Sequence, residues 1–363
     1  MASAAGAEGR RFDNINLLRA FAALSVVVYH VIVHSNWEGY PIEGPLLAFR
    51  IGWYGVDLFF VISGFVIAYS ALILYRADAT SFRARYWARR LTRILPLYLG
   101  TLFLWLAFFP PPHWNAREWA WQLTTHLTFT HSIWGRTHGS IDGPNWSLAI
   151  EMHFYIAVAL GIRWLDRVPA WWILIAGIVI SWAWRAAMFY VYSVDGAHVV
   201  FIKATQLPGT LDEFAAGIFL AKLLLDGKRA WFSRPLPWLV AACATGYVAM
   251  KVYWAQSSYW DIPAMVIFWR TLLGAFFMCV VGSGVALPQW LATRAFAPIE
   301  YLGETSYGIY LWHLFAVMVV ITQWGWTDVR ALAAVAGATI LLAMLSWHLF
   351  EKPFMRLARR AKQ

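Results

Sequence analysis

Apolar runs of about twenty residues recur along the whole chain, and this feature constrains the fold more than any other. A helix of that length spans the hydrocarbon core of a bilayer and pairs its own backbone polar groups there. Only 13% of the residues are charged and the mean hydropathy is +0.55, which is too apolar for a soluble domain of this length. The sequence therefore predicts an all-α membrane protein, a bundle of about ten transmembrane helices.

Sliding windows of about twenty residues give the expected position of each helix. The predicted helices cover residues 15–34, 55–75, 93–110, 146–163, 170–192, 207–225, 236–254, 264–286, 304–323 and 330–349. We find no repeat and no soluble domain, so residues 1–363 are predicted to form one transmembrane domain. Its ends are expected to be a cytoplasmic N-terminal segment over 1–14 and a basic cytoplasmic tail over 351–363.

The segment 111–145 fits none of these helices. It begins within the run Pro110-Pro111-Pro112 and contains a Trp-rich stretch from Trp119 to Trp134 before a polar, Gly-rich loop. We interpret the Trp-rich stretch as a re-entrant or interfacial helix.

The basic residues predict the orientation of the bundle. If the N-terminus is cytoplasmic, twenty Lys and Arg residues fall on the inner side and six on the outer side. Cytoplasmic loops carry the excess of Lys and Arg, so both termini are expected in the cytoplasm. The net charge of +10 is therefore attributed to membrane topology, and no nucleic-acid partner is expected.

Ionisable side chains within membrane helices are costly, and each one suggests a functional site. Arg19 and His30 are eleven positions apart, so both project from one face of the first helix, about 16 Å apart in depth. The alternative is a snorkelling Arg and a core His. Further polar residues with similar placement are Asp57, Ser147, Glu151, Tyr155, Arg185, Asp212, Glu213, Arg270, Ser306, Tyr310 and His313. Together they predict a polar cavity in the outer half of the bundle, although any single one fits a structural ion pair.

Arginines are clustered on the inner side, from Arg83 to Arg93. From spacing alone, the cluster fits a topology signal or attraction to anionic lipid. Guanidinium groups also bind phosphate in a bidentate manner, so a phosphate site is the functional alternative. The two cysteines, Cys243 and Cys279, lie far apart in apolar runs, and no metal site is expected.

An ordered set of short motifs spans nearly the whole chain. It comprises Arg19 with His30, Phe59-Phe60-Val61-Ile62-Ser63-Gly64-Phe65, Arg90-Leu91-Thr92-Arg93 with Pro96, Trp146 to Tyr155, Ser306 with Tyr310-Leu311 and His313, and Phe350 to Phe354. In these motifs the chain resembles the membrane acyltransferase-3 family, bacterial acyl-CoA-dependent O-acyltransferases of surface polysaccharides and some smaller acceptors. The resemblance implies a protein of the inner (plasma) membrane.

The resemblance also implies an activity. Acyl-CoA, with acetyl-CoA as the expected form, would be the cytoplasmic donor substrate, and no cofactor would be bound permanently. The acceptor would be a hydroxyl of a carbohydrate or glycolipid at the outer side of the membrane. The family places the acyl-CoA site at Arg19, Arg90 and Arg93, which agrees with their predicted depth.

His30 is the predicted general base, because imidazole takes up a proton near neutral pH. Glu151 or another buried acid would orient it, and Tyr155, Tyr310, His313 or Arg185 could stabilise the developing oxyanion. The predicted catalytic residues are thus His30, Glu151, Tyr310 and His313. The predicted substrate-binding residues are Arg19, Asp57, Arg90, Arg93, Trp146, Ser147, Tyr155, Arg185, Glu213, Arg270 and Ser306.

Two other functions are alternatives to the acyltransferase. A transporter or flippase of a lipid-linked or small polar substrate suits ten helices with a polar interior, but the sequence has neither an inverted repeat nor matching Gly/Pro-broken helices. A membrane sensor or scaffold gains nothing from buried ionisable groups. The sequence therefore favours the enzyme.

Overall fold

A computed structural model describes residues 12–256 and 258–360, with side chains described as far as residue 356. Most of the predicted N-terminal segment and the last three residues of the predicted tail lie outside this part of the chain. Within it, all regular secondary structure is helical and there is no strand, which confirms the predicted all-α class.

Fourteen α-helices follow one another along the described chain. They are α1 (Asp13–His34), α2 (Gly55–Ala77), α3 (Phe82–Phe108), α4 (Ala116–Leu127), α5 (Asn145–Arg167), α6 (Ala170–Tyr192), α7 (Ala197–Ala204), α8 (Leu207–Leu225), α9 (Leu236–Trp254), α10 (Arg270–Ala286), α11 (Ala297–Glu304), α12 (Ser306–Val317), α13 (Asp328–Ser346) and α14 (Lys352–Arg360). A 3₁₀-helical segment, Pro45–Tyr54, precedes α2, and π-helical turns Met265–Trp269, Met318–Gln323 and Trp347–Glu351 extend α10, α12 and α13.

Among the described residues, nine helices are long and apolar enough to cross a membrane. The one remaining predicted span, 207–225, forms α8. Its residues Asp212, Glu213 and Lys222 make this helix too charged to face lipid. It is instead buried along nearly its whole length and packs chiefly against α2 and α6. Protein surrounds α8, so the bundle can contain charges that lipid would exclude.

Two glycines allow α2 and α8 to touch backbone to backbone. A Cβ atom on Gly64 would lie 2.2 Å from the carbonyl oxygen of Phe214, and one on Gly217 would lie 2.1 Å from that of Val61. Small residues permit such close approach between membrane helices. The contact fixes the position of α2, which contributes side chains to the site described below.

The third helix begins at Phe82, eleven residues before the predicted start. A hydropathy window detects the apolar part of a helix, whereas Arg is a good helix former and continues α3 beyond that part. Pro96 lies inside α3 without ending it. The arginines of the inner cluster therefore stand on a helix face. The predicted tail begins with helix α14, which packs against α3.

The segment 111–145 contains α4 and an irregular loop. The side chain of Asn115 accepts a hydrogen bond from the backbone N–H of Glu118 and so caps the N-terminus of α4. The hydroxyl of Tyr98 on α3 donates to the carbonyl oxygen of His126, which ties the end of α4 to the bundle. The Trp-rich stretch is therefore helical only in its first half.

Candidate active site

A cavity of about 280 Å³ lies between α1, α2, α3, α5 and α12. We call it the inner cavity because its arginines belong to the side that the charge bias predicts to be cytoplasmic. Arg19, Arg89, Arg90 and Arg93 line it, and among the described residues around it Glu151 is the one acid. The remaining wall is largely apolar and includes Phe59, Phe60, Ile62, Val66, Ile67 and Leu148. An excess of guanidinium groups beside an apolar wall suits a ligand with phosphates at one end.

Arg90 is poorly satisfied within the protein. Its guanidinium group lies over the rings of Tyr86 and Tyr155, with distances of 5.6 Å and 5.7 Å to the ring centroids. Its Nε is buried and has no hydrogen-bond partner in the described part of the chain. A buried donor without a partner is costly, so this nitrogen is available to a ligand.

Arg19 and Arg93 are held more firmly. The Nε of Arg19 donates to the Oγ of Ser306 at 3.1 Å. Arg93 donates to the carbonyl oxygen of Glu304 at 3.0 Å and pairs with the buried carboxylate of Glu351 at 3.4 Å. The predicted cytoplasmic tail therefore contributes to the inner end of the site through its first residue.

Glu151 contacts two hydroxyl groups. It accepts hydrogen bonds from Ser63 at 2.6 Å and from Tyr155, one turn along α5, at 2.8 Å. The proposed pairing of Glu151 with His30 is therefore wrong, because similar predicted depth does not put two side chains side by side. With Ser147, these α5 residues line the inner cavity, as their four-residue spacing predicts.

A second cavity, of about 460 Å³, adjoins the inner one and is called the outer cavity, after the predicted orientation. His30, Asp57 and Arg270 line it together with Trp146, whose ring stacks on His138 at a centroid distance of 5.6 Å. Its other walls include Tyr29, His34, Trp53, Gly139, His198, Phe201 and Trp260. The outer cavity is thus rich in aromatic rings and in hydrogen-bonding groups.

Val56 and Tyr310 line both cavities, so the two cavities lie next to each other at these residues. The hydroxyl of Tyr310 lies 2.6 Å from the Oγ of Ser147 and 3.0 Å from the carbonyl oxygen of Pro144. Tyr310 is therefore held in place from the α5 side. We call this meeting point, formed by Val56 and Tyr310, the junction.

His30 and His313 form a hydrogen-bonded pair next to the junction. The Nδ1 of His313 lies 2.6 Å from the carbonyl oxygen of Tyr310, so that nitrogen carries the proton and Nε2 has a lone pair. That Nε2 lies 3.2 Å from the Nδ1 of His30, which is also 3.0 Å from the carbonyl oxygen of Val26. These acceptors assign the proton of His30 to Nδ1 and leave its Nε2 unprotonated.

Arg185 and Glu213 line neither cavity. Arg185 is fully buried, donates to the carbonyl oxygens of Gly209 and Ile267, and forms an ion pair with Asp212. Glu213 pairs with Arg270, which also pairs with Asp57 at 2.7 Å. Of this network, only Asp57 and Arg270 reach the outer cavity, so substrate contact by Arg185 or Glu213 stays a prediction.

Several residues of the site were not predicted. Ser63 and Tyr307 line the inner cavity, and both lie inside recognised motifs, so the motifs could have identified them. His138, His198, Phe201 and Trp260 come from loops or short helices on the outer side. Spacing within a single helix gives no signal for such residues.

A helical membrane bundle with a cationic cavity, an apolar wall and a histidine pair has the parts of a membrane-embedded transferase site. The chain belongs to the acyltransferase-3 family, because the family's sequence model, described as an acyltransferase domain, matches residues 12–348. The predicted resemblance is thereby confirmed, and residues 12–348 form an acyltransferase domain similar to that of O-acetyltransferases.

Three relatives illustrate the similarity. The putative peptidoglycan O-acetyltransferase YrhL of Bacillus subtilis is 27% identical, over 95% of this chain and 55% of the relative. The peptidoglycan O-acetyltransferase OatA of Listeria monocytogenes is 24% identical, over 94% of this chain and 56% of the relative. Nodulation protein 10 of Rhizobium leguminosarum is 25% identical, over 95% of this chain and 94% of the relative. The chain thus spans about half the length of the first two. No solved structure is significantly similar.

Proposed function

We propose that this enzyme transfers an acetyl group from acyl-CoA in the inner cavity to a carbohydrate hydroxyl in the outer cavity. The observation that carries the proposal is the junction. At Val56 and Tyr310, a cationic cavity on one side adjoins a cavity that His30 lines on the other, and His313 contacts the ring of His30 from behind that cavity. An acyl group at the junction would be within reach of both substrates.

The inner cavity supports acyl-CoA as the donor. Coenzyme A has phosphates at one end and a slender pantetheine arm that ends in the thioester. Arg19, Arg89, Arg90 and Arg93 provide the positive charge for the phosphates, and Arg90 has a buried nitrogen free to donate. The apolar wall between these arginines and the junction suits the pantetheine arm.

The histidine pair supports general-base catalysis of the acyl transfer. The unprotonated Nε2 of His30 takes the proton of the acceptor hydroxyl as its oxygen attacks the thioester carbonyl carbon. The carbonyl π electrons move onto oxygen, and Tyr310 at the junction can donate its hydroxyl proton to that oxyanion in place of the carbonyl oxygen of Pro144. The C–S bond then breaks, the ester forms, and the proton passes from His30 to the departing thiolate of CoA.

The lining of the outer cavity supports a carbohydrate acceptor, and the charge bias supports the orientation of the chain in the membrane. Aromatic rings such as Trp146 provide flat faces for a sugar, and His34, His138 and His198 provide hydrogen-bonding groups around it. Two of the relatives are named for peptidoglycan. The bias of basic residues and an even number of crossings, counting α8, support cytoplasmic termini in the plasma membrane.

Comparative mass spectrometry of surface glycans tests the proposal. Cells that contain the protein should carry ester-linked acetyl groups that are absent from cells lacking it. Cells making equal amounts of His30→Gln in the membrane should match the deletion. Identical glycans in all three strains would count against acetyl transfer, and an unmodified but redistributed lipid-linked glycan would indicate the flippase alternative.

A further inference from the structure

The junction has a narrow apolar side formed by α2. Val56 lines both cavities, and Phe59, one turn further along α2, lines the inner cavity just below it. The ring of Phe59 packs edge-on against the ring of Tyr310, with a centroid distance of 6.0 Å and an interplanar angle of 74°. The hydrogen bonds of Tyr310 to Ser147 and Pro144 fix the opposite wall. At the junction, Val56 and Phe59 of α2 therefore lie beside a Tyr310 ring that is fixed from the α5 side.

We infer that Val56 and Phe59 determine the acyl-chain length that the enzyme accepts, by limiting the space for the acyl tail at the junction. The inference rests on the proposed function, since it takes acyl-CoA as the donor. It adds two specificity-determining residues, neither of which takes part in proton transfer.

The direction of the acyl tail follows from where the ends of the donor must lie. The phosphates are held by the arginines at the inner end, and the thioester carbonyl must reach the junction to meet a hydroxyl beside His30. The tail beyond the carbonyl then points between Val56, Phe59 and Tyr310 or into the outer cavity. The outer cavity must also hold the acceptor, so a long tail would compete with the acceptor for the same space.

The size of the expected effect follows from packing. An acetyl group adds one methyl beyond the carbonyl, whereas longer tails must displace the side chains of the junction. Overpacking of a fixed apolar site weakens binding by about tenfold or more. The competing possibility is a tail that folds back along the inner wall, past Val66 and Ile67. In that case residues deeper in the inner cavity would determine which acyl-chain length the enzyme accepts.

Val66 offers a matched control for Val56. Both are valines on α2 that line the inner cavity, but Val66 lies ten residues further along the helix, about 15 Å from the junction. The substitutions Val56→Ala and Val66→Ala therefore remove the same atoms from the two ends of one wall. Phe59→Leu provides a second, independent widening of the junction.

The test measures binding to the full-length purified protein in nanodiscs. S-ethyl-, S-butyl- and S-hexyl-CoA thioethers, which do not transfer their alkyl group, displace labelled CoA. In the parent, S-hexyl-CoA should bind about tenfold more weakly than S-ethyl-CoA. Val56→Ala and Phe59→Leu should reduce this ratio to about threefold or less, while Val66→Ala keeps the parent ratio.

Two results would overturn the inference while leaving the proposed function intact: equal affinity of the parent for all three thioethers, or relaxation of the ratio by Val66→Ala alone. If neither CoA nor S-ethyl-CoA binds the parent, the proposed donor is wrong and the inference fails with it. Binding of S-ethyl-CoA that is competitive with CoA separates these cases.

Discussion

The Nε2 of His313 lies 3.2 Å from the Nδ1 of His30, although 283 residues separate the two along the chain. This contact joins α12 to α1 at the junction of the two cavities. It fixes the tautomer of His30, because the acceptor lone pair of His313 holds the Nδ1 proton and leaves Nε2 free. His30 is therefore the base in our account, and His313 is a positioning residue.

The first prediction concerns His313. His313→Leu removes one of the two acceptors near the Nδ1 proton of His30 and leaves the carbonyl oxygen of Val26, so kcat should fall about tenfold, the worth of one lost hydrogen bond. The KM for acyl-CoA should stay unchanged. His313→Gln can still accept that proton through its amide oxygen and should retain more activity. Steady-state kinetics of both variants would check this, with the exposed-site variant His348→Gln as control. Full kcat in His313→Leu would contradict the positioning role.

The second prediction concerns Arg90. Its buried Nε lacks a protein partner, so a donor phosphate should supply one. Arg90→Ala should raise the KM for acyl-CoA by about ten- to a hundredfold, the range for hydrogen bonds to charged groups. Arg90→Lys should recover only part of this loss, because an ammonium group cannot form the bidentate contact.

Arg83 provides the matched control for Arg90. It lies in the first turn of the same helix, is exposed and does not line the inner cavity. Arg83→Ala should therefore leave the KM unchanged. Equal effects of the two alanine variants on KM would mean that the cluster acts through general charge alone.

The third prediction separates structure from substrate binding at Arg185. Arg185→Met leaves Asp212 buried without its ion-pair partner, which typically costs about 3–5 kcal/mol in the free energy of unfolding. The double variant Arg185→Met/Asp212→Leu should recover part of that stability. Thermal unfolding in detergent would measure both. A stable Arg185→Met protein with a raised KM for the acceptor would instead establish substrate contact.

The fourth prediction concerns the acid stability of the segment formed by α4, which contains His126, and the loop after it, which contains His131. Burial lowers the pKa of His126 to about 4 and that of His131 to about 3, below the usual 6.5. Below pH 6.5 the unfolded chain binds protons that the folded segment excludes. The stability contributed by a neutral His126 is therefore lost as the pH falls from 6.5 towards 4. Burial raises the pKa of Asp142, and this carboxyl acts in the opposite direction.

A variant isolates the contribution of one histidine. His126→Gln keeps a donor for the carbonyl oxygen of Gln122 but cannot titrate. Between pH 6.5 and pH 5 it should lose about 2 kcal/mol less free energy of unfolding than the parent does. Chemical unfolding at the two pH values gives the difference directly. An identical acid loss in parent and variant would show that His126 is not buried in the neutral form.

Much of this molecule could be predicted from local patterns. The apolar windows gave the crossing helices, and the spacing of Arg19 and His30 along α1 anticipated that one helix serves both cavities. The hydropathy windows gave no information about the charged parts of helices. They began α3 too late, at the first apolar residues, and could not show that α8 is shielded from lipid by its neighbours.

The contacts between distant residues could not be predicted. Glu151 and His30 have similar predicted depth, yet the partner of Glu151 is Ser63 and that of His30 is His313. Depth along a helix fixes one coordinate, whereas contact also depends on how each helix is rotated against its neighbours. The ion pair of Arg185 with Asp212 is another contact that depth alone could not predict.

The central claim is that the acyl group passes from an inner donor site to an outer acceptor, with His30 as the base. Labelled acetyl-CoA should therefore be supplied to sealed membrane vesicles of defined orientation, and ester-linked label measured in the glycan fraction. Inside-out vesicles, which expose the cytoplasmic face, should incorporate label, whereas right-side-out vesicles should not. Inside-out vesicles containing His30→Gln should incorporate about 10²-fold less or lower still. Equal labelling in both orientations, or parent-level labelling with His30→Gln, would contradict the account.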